Sequence, residues 1–319
     1  MDDILKKIGL LGIVPVVKIE NAEDAIPLGK ALIDGGLPLA EVTFRTDAAE
    51  ESIKRLTKGY PDMLVGAGTV LTVEQVRRAV SAGARFIVSP GFNPRVVDYC
   101  IENGIPVTPG INSPTQIEMA LERNLKVLKF FPAETSGGVA MLKAMSAPYG
   151  EVKFIPTGGV NAENLNSYLS FSKVHACGGS WMVKSELIKG HRFEEITRLV
   201  REAIDVMLGF GFAHLGINMD NERDALEGAT EFSRVFGFPV KNGNSSVFAG
   251  KALEITKKKF PGENGHIAIA TNYMDRAIYY LGMRGINIKE ETKKEKDGKL
   301  VAVYLDVEVG GFAIHLVQR

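Results

Sequence analysis

Cysteine is almost missing from this 319-residue chain, which has only Cys100 and Cys177. Two thiols cannot build a disulfide framework; that excludes a small cross-linked secreted scaffold and suits a reducing compartment. Charge of one sign is missing as well. The 38 basic and 38 acidic residues cancel, so no bulk attraction to nucleic acid or to a membrane surface is expected. Long apolar runs are also lacking: residues 8–17 come nearest, but Gly9, Gly12 and Pro15 interrupt them. No small-residue cleavage site follows, so the segment reads as a buried strand and not as a signal peptide or a span. A cytoplasmic globular protein is expected, and 45% apolar with 24% charged residues is ordinary for one.

What the chain does have is a rhythm. Short apolar runs begin near Ile13, Leu39, Leu64, Phe86, Pro106, Val127, Phe154 and Val174, spaced about 20 to 27 residues apart. Each interval holds a turn and an amphipathic helix, the pattern of repeated βα units around a parallel sheet. Thr72 with Gln75, and Ser113 with Pro114 and Gln116, fit capping boxes at two helix starts. Eight even units predict a (β/α)8 TIM barrel over residues 1–208, with a doubly wound sheet as the alternative. Polar residues inside several strands favour the barrel.

One of those polar residues is Lys129, set in the run Val127, Leu128, Lys129, Phe130, Phe131. Lysine is almost never fully buried without a partner. Burial disfavours the ammonium and so favours a nucleophilic amine, the requirement of a Schiff-base enzyme. Strand alternation puts Leu39, Glu41, Thr43 and Arg45 on one side of the second strand. That side would face the barrel interior near its C-terminal mouth, where active sites of this architecture lie. A buried Glu41–Lys129 or Glu41–Arg45 pair that merely fills the barrel is the plainer alternative.

The seventh unit ends Pro156-Thr157-Gly158-Gly159-Val160 and the eighth Cys177-Gly178-Gly179-Ser180-Trp181. Glycine there lets backbone N–H groups approach an anion, and a helix starting after each turn would add a favourable dipole. The alternative is that each Gly-Gly only makes a tight turn. Taken together, EVTFRT (41–46), VGAGTV (65–70), SPG (89–91), KFFPAE (129–134), PTGGV (156–160) and GGSW (178–181) resemble the 2-keto-3-deoxy-6-phosphogluconate (KDPG) and 4-hydroxy-2-oxoglutarate (KHG) aldolase family. The resemblance implies Lys129 as the Schiff-base lysine and Glu41 as general acid/base. It implies that Arg45 and Thr69 hold the pyruvate-like end, and that Gly158, Gly159, Gly179 and Ser180 lie in phosphate-binding turns. It further implies a homotrimer acting on a small phosphorylated 2-oxo acid, with no cofactor for the aldol reaction.

After Gly209-Phe210-Gly211, read as a hinge, the grammar changes and residues 209–319 form a smaller α+β domain. A strand at 212–219, a helix at 221–236 and strands near Pro239, Val247 and Ala252 are predicted. The pattern then recurs: strand from Gly265, helix at 272–283, strands near Ile286, Leu300 and Phe312. The charged run 289–299 contains Asp297-Gly298 and reads as a solvated hairpin turn. His214, Glu254, His266 and His315 sit on first or last strands of the two βαβββ modules, each opposite the strand's large apolar residues. This resembles the vicinal-oxygen-chelate (glyoxalase-like) fold, whose ligands come from those strands, except that His315 stands where a glutamate is usual. The resemblance implies a divalent metal such as Zn²⁺, Ni²⁺ or Fe²⁺. A metal-free assembly or metabolite-sensing module that regulates the barrel is the alternative, as is a pyruvate aldolase acting on another 2-oxo acid.

Overall fold

The computed structural model describes residues 2–319. The chain divides after Met207 into two compact units, the second being Leu208–Arg319.

The first unit is α/β and TIM-barrel-like. Its strands are β1 (Ile13–Val17), β2 (Leu39–Thr43), β3 (Leu64–Gly68), β4 (Ile87–Val88), β5 (Val107–Thr108), β6 (Gly110–Ile111), β7 (Val127–Phe130), β8 (Lys153–Pro156) and β9 (Cys177–Gly179). All pair in parallel, in the order β5-β4-β3-β2-β1-β9 in one sheet and β6-β7-β8 in another. Single bridges Phe154–Val174 and Thr157–Gly178 continue β8 towards β9, and β5 runs into β6 through Pro109. The strands begin within a few residues of the predicted apolar runs because β-branched side chains there are buried on both faces. Phe86, Phe130 and Phe154 are fully or almost fully buried, each contributing roughly 1.5–3 kcal/mol of transfer free energy.

Helix starts follow local chemistry. The Thr72 hydroxyl accepts from Gln75 N at 3.2 Å, and Gln75 Oε1 reaches back to Leu71 N at 2.7 Å. The predicted box at Ser113 forms differently. Ser113 makes no side-chain cap; its hydroxyl donates to Gln116 Oε1, which also accepts from Asn112 N at 2.8 Å. Pro114 at the first turn fixes that helix start without needing the serine.

The second unit has one sheet built from β10 (Gly211–Asn218), β11 (Val240–Asn242), β12 (Ser246–Ala249), β13 (Leu253–Thr256), β14 (Gly265–Thr271), β15 (Lys294–Lys296), β16 (Lys299–Val309) and β17 (Phe312–Gln318). The order is β11-β12-β13-β10-β14-β17-β16-β15. Strand–helix–three strands therefore occurs twice, and the two halves meet at the antiparallel pair β10–β14. The helix Glu222–Phe236, capped by Asn221, buries Ala225 and Ala229 against Val247, Ala249 and Ile255. Two predicted boundaries shift. The second helix begins at Met274, and residues near Ile286 carry only the single bridge Ile288–Leu305, so the edge strand forms later, at Lys294–Lys296. Asp297 (φ 53°) and Gly298 (φ 71°) close the predicted hairpin, the left-handed pair that a two-residue turn needs. No described helix is long and apolar enough to cross a membrane.

Candidate active site and a histidine cluster

Strand pairing brings Lys129 and Glu41 together across the first unit. β7 carries Lys129 opposite Gly110 and Ile155, while β2 carries Glu41 opposite Val16 and Gly66. Lys129 Nζ lies 3.1 Å from Glu41 Oε1, with only 7% and 4% of the two side chains exposed. Placing both charges out of water costs several kcal/mol per ion, so such a pair is weak evidence for stability and better evidence for chemistry. Phe131 offers its ring 5.4 Å from Nζ, and an ammonium over an aromatic face gains modestly. Gly68 makes room for the acid: a Cβ there would stand 2.2 Å from Glu41 Oε1.

The remaining predicted residues lie at or just beyond the C-terminal ends of β2, β3, β8 and β9. Arg45 lies beyond the end of β2 and is exposed, with its Nε donating to Thr43 Oγ1 at 3.1 Å. Thr43, itself buried, donates to Val17 O at 2.8 Å. Thr69 follows Gly68 directly with φ at 56°, a conformation costly for a β-branched residue and common where a site fixes its backbone. Gly158 and Gly159 have φ of 98° and 84°. Gly179 ends β9 opposite Pro15, and Ser180 is exposed just after it. Gly158 N is directed at Gly178 O by the Thr157–Gly178 bridge, whereas among the described residues the amides of Gly159 and Ser180 have no acceptor, and free N–H groups suit an anion. The expected dipoles are not there: the next helices begin only at Leu165 and Ser185 and are five residues each. Thr157, buried beneath the turn, was missed by sequence reasoning. A Cβ on Gly178 would meet its hydroxyl at 2.3 Å, and within PTGGV (156–160) the glycines, not the threonine, carry the distinctive signal.

The profile of the KDPG and KHG aldolase family matches residues 2–199. This chain belongs to that family. A 2-dehydro-3-deoxy-phosphogluconate aldolase of Haemophilus influenzae is 48% identical over 204 residues, 64% of this chain and 96% of the relative. One from Treponema pallidum is 51% identical over 195 residues, 61% and 93% of the two chains. A solved KDPG aldolase from Legionella pneumophila, holding pyruvate as a covalent carbinolamine, superposes with a TM-score of 0.61 at 40% identity, over 62% of this chain and 97% of that one. The KDPG-family protein described here is accordingly a carbon–carbon lyase.

The second unit holds a separate cluster. Across the sheet, Glu254, Gly216 and His266 fall in one register row, and His214, Ala268, His315 and Tyr304 in the next. Both rows lie on the face opposite Leu253 and Ile255, which the helix Glu222–Phe236 covers. His214 Nε2 is 3.2 Å from His266 Nε2 and 3.0 Å from Glu254 Oε2, which is 3.4 Å from His266 Nε2. The ligand atoms of His214, His266 and His315 all lie within 4.8 Å of one another. His266 Nδ1 and His315 Nε2 are buried with no partner. Burial resists ionisation of Glu254, but hydrogen bonds from His214, His266 and Ser246 outweigh it and hold the carboxyl far below its usual range. Burial, then the neighbouring His266 and His214, depress His315 to about 3. Ser246, which donates to Glu254 Oε1 at 2.5 Å, and Tyr304, stacked 4.7 Å from His315, were not foreseen. The same alternation that placed Glu254 also puts Ser246 opposite Thr256 on its face, so the signal for the serine was present.

Proposed function

We propose that the first unit is a class I aldolase that cleaves 2-keto-3-deoxy-6-phosphogluconate to pyruvate and glyceraldehyde 3-phosphate. The observation that carries this is the buried Lys129 Nζ at 3.1 Å from Glu41. The Lys129 amine adds to the C2 ketone, and loss of water leaves a protonated imine that draws electrons. Glu41 then removes the C4 hydroxyl proton, directly or through water. The C3–C4 bond breaks, its electrons pass to the imine as an enamine, and the aldehyde leaves. Protonation at C3 and hydrolysis return pyruvate and free Lys129. Arg45, just beyond the end of β2, would clamp the substrate carboxylate with a guanidinium fork, and Thr69 would share that end. The turns at Gly158-Gly159 and Gly179-Ser180, with the free amides of Gly159 and Ser180, take the phosphate at the far end, which reduces the entropic cost of alignment. A carboxylate at that end in place of phosphate makes 4-hydroxy-2-oxoglutarate the second substrate of the same site. Borohydride trapping with pyruvate tests the reading. Label on Lys129 supports it, whereas label on another lysine refutes the assignment. Lys18 and Lys153 are the obvious rivals, yet Lys18 is tied to Glu20 at 2.8 Å and Lys153 is exposed at the far end of β8. The trimer implied by the resemblance belongs to this reading and is measured by light scattering.

For the second unit the reading is a vicinal-oxygen-chelate domain with His214, Glu254, His266 and His315 as ligands to Zn²⁺, Ni²⁺ or Fe²⁺. Metal–nitrogen bonds of about 2.0–2.1 Å put neighbouring tetrahedral ligands about 3.3 Å apart, and three of the atoms already stand 3.0–3.4 Å apart. The orphaned His315 Nε2 adds to the fit, since buried polar atoms are rarely left unpaired. When bound, such an ion would act as a Lewis acid towards an oxygen-bearing ligand. Ser246 would hold Glu254 Oε1, leaving Oε2 facing the imidazoles. Elemental analysis of the chain and of His214→Ala and His266→Ala variants tests this: metal in the first and loss from the variants supports it, and wild-type protein that cannot be loaded refutes it.

A further inference from the structure

One buried hydroxyl has no part in the aldol chemistry. Tyr168, with no exposed surface, lies on the helix Leu165–Leu169 that follows the Gly158–Gly159 turn. Its phenol donates to Glu134 Oε1, on the loop that follows β7. Burial first, and then the Glu134 carboxylate, raises the phenol far above its ordinary value, so it remains a donor.

Between these two residues runs the glycine turn. Ala133 N donates to Thr157 O at 2.8 Å, and Glu134 N to Gly158 O at 3.0 Å. The Glu134 side chain lies so close that a Cβ on Gly159 would stand 2.5 Å from its Cγ. From the other side Asn164 Nδ2 donates to Gly159 O at 3.1 Å. Both carbonyls of the turn are therefore tied back and the Thr157–Gly178 bridge turns Gly158 N to Gly178 O, while the Gly159 amide stays free among the described residues.

We propose that Glu134 and Tyr168 are positioning residues for the phosphate end of the substrate. Their hydrogen bond clamps the loop after β7 to the helix after β8, and so presets the turn and its free Gly159 amide for an anion. The proposal rests on the reading of that turn as the phosphate site. Neither side chain is assigned contact with the reacting atoms, so binding of the far end should suffer while bond cleavage proceeds.

The test is steady-state kinetics of Tyr168→Phe, Glu134→Ala and Glu134→Gln with 2-keto-3-deoxy-6-phosphogluconate. The half-saturating pyruvate concentration for borohydride trapping serves as a control that has no far end. Losing a hydrogen bond to a charged group predicts a KM about tenfold higher for Tyr168→Phe and Glu134→Ala. Their kcat stays within about twofold of wild type and pyruvate trapping is unchanged. Glu134→Gln keeps an acceptor oxygen and stays within about threefold of wild type. Pyruvate trapping weakened in parallel, a loss of kcat alone, or no change at all would overturn the clamp. Inorganic phosphate separates this failure from that of the underlying reading. If phosphate competes with substrate in wild type but the variants match wild type, only the clamp falls. If phosphate does not compete at all, the turn assignment falls and takes the clamp with it.

Discussion

At the scale of single residues, the account rests on a lysine and a glutamate that are costly to bury and useful together. Lys129→Ala is expected to abolish both turnover and trapping. Glu41→Gln keeps the nucleophile and loses the base, so kcat falls by about 10²–10⁴-fold while pyruvate is still trapped, as single-turnover assays would show. Much of this was readable in advance. Lys129 stood out against its apolar neighbours, and alternation along β2 aligned Glu41, Thr43 and Arg45. The acceptor that orients Arg45 was not readable, because a threonine hydroxyl has no pattern that distinguishes it from strand filler. His315 makes a second prediction at this scale. Its folded value near 3 lies below the ordinary 6.5, so between those pH values the unfolded chain binds a proton that the folded one refuses. Stability of the metal-free second unit therefore falls as pH drops from about 6.5 towards 3. Glu254, also depressed, loses its contribution as pH falls below its unfolded value of 4.5. Hydrogen exchange in β14 and β17 after chelation would show faster opening at pH 5 than at pH 7.5, and His315→Gln would flatten the difference.

At the scale of elements, bare positions matter as much as functional groups. Gly68 ends β3 beside Glu41, and Gly68→Ala would push its methyl against the carboxylate. A displacement of about 1 Å costs on the order of 10² in rate. Circular dichroism would show a folded protein and kinetics a crippled one. A native-like rate would mean that Glu41 is not held where the mechanism needs it. Strands and helices of the first unit were legible because β-branched runs and caps such as Thr72 act locally. The helix after the Gly158–Gly159 turn begins later than expected because Asn161 and Asn164 fold the chain into side-chain-bonded turns first. The edge strand Lys294–Lys296 was misplaced for another reason: its three residues are all exposed, so no apolar alternation marks it.

At the scale of the whole molecule, two units with different chemistry share one chain. The aldol steps need only an amine, a carboxylate and hydrogen-bond donors. Dialysis against a chelator is therefore expected to leave aldol cleavage at its original rate, as a coupled assay for pyruvate would show. The repeated strand–helix–strands order of the second unit was legible from periodicity, whereas its sheet order, which brings His214, Glu254 and His266 to adjacent strands, depends on long-range pairing. Borohydride reduction of the intact protein with pyruvate, followed by peptide mapping, is expected to place one stable adduct on Lys129. An adduct on any other lysine, or none at saturating pyruvate, would contradict it.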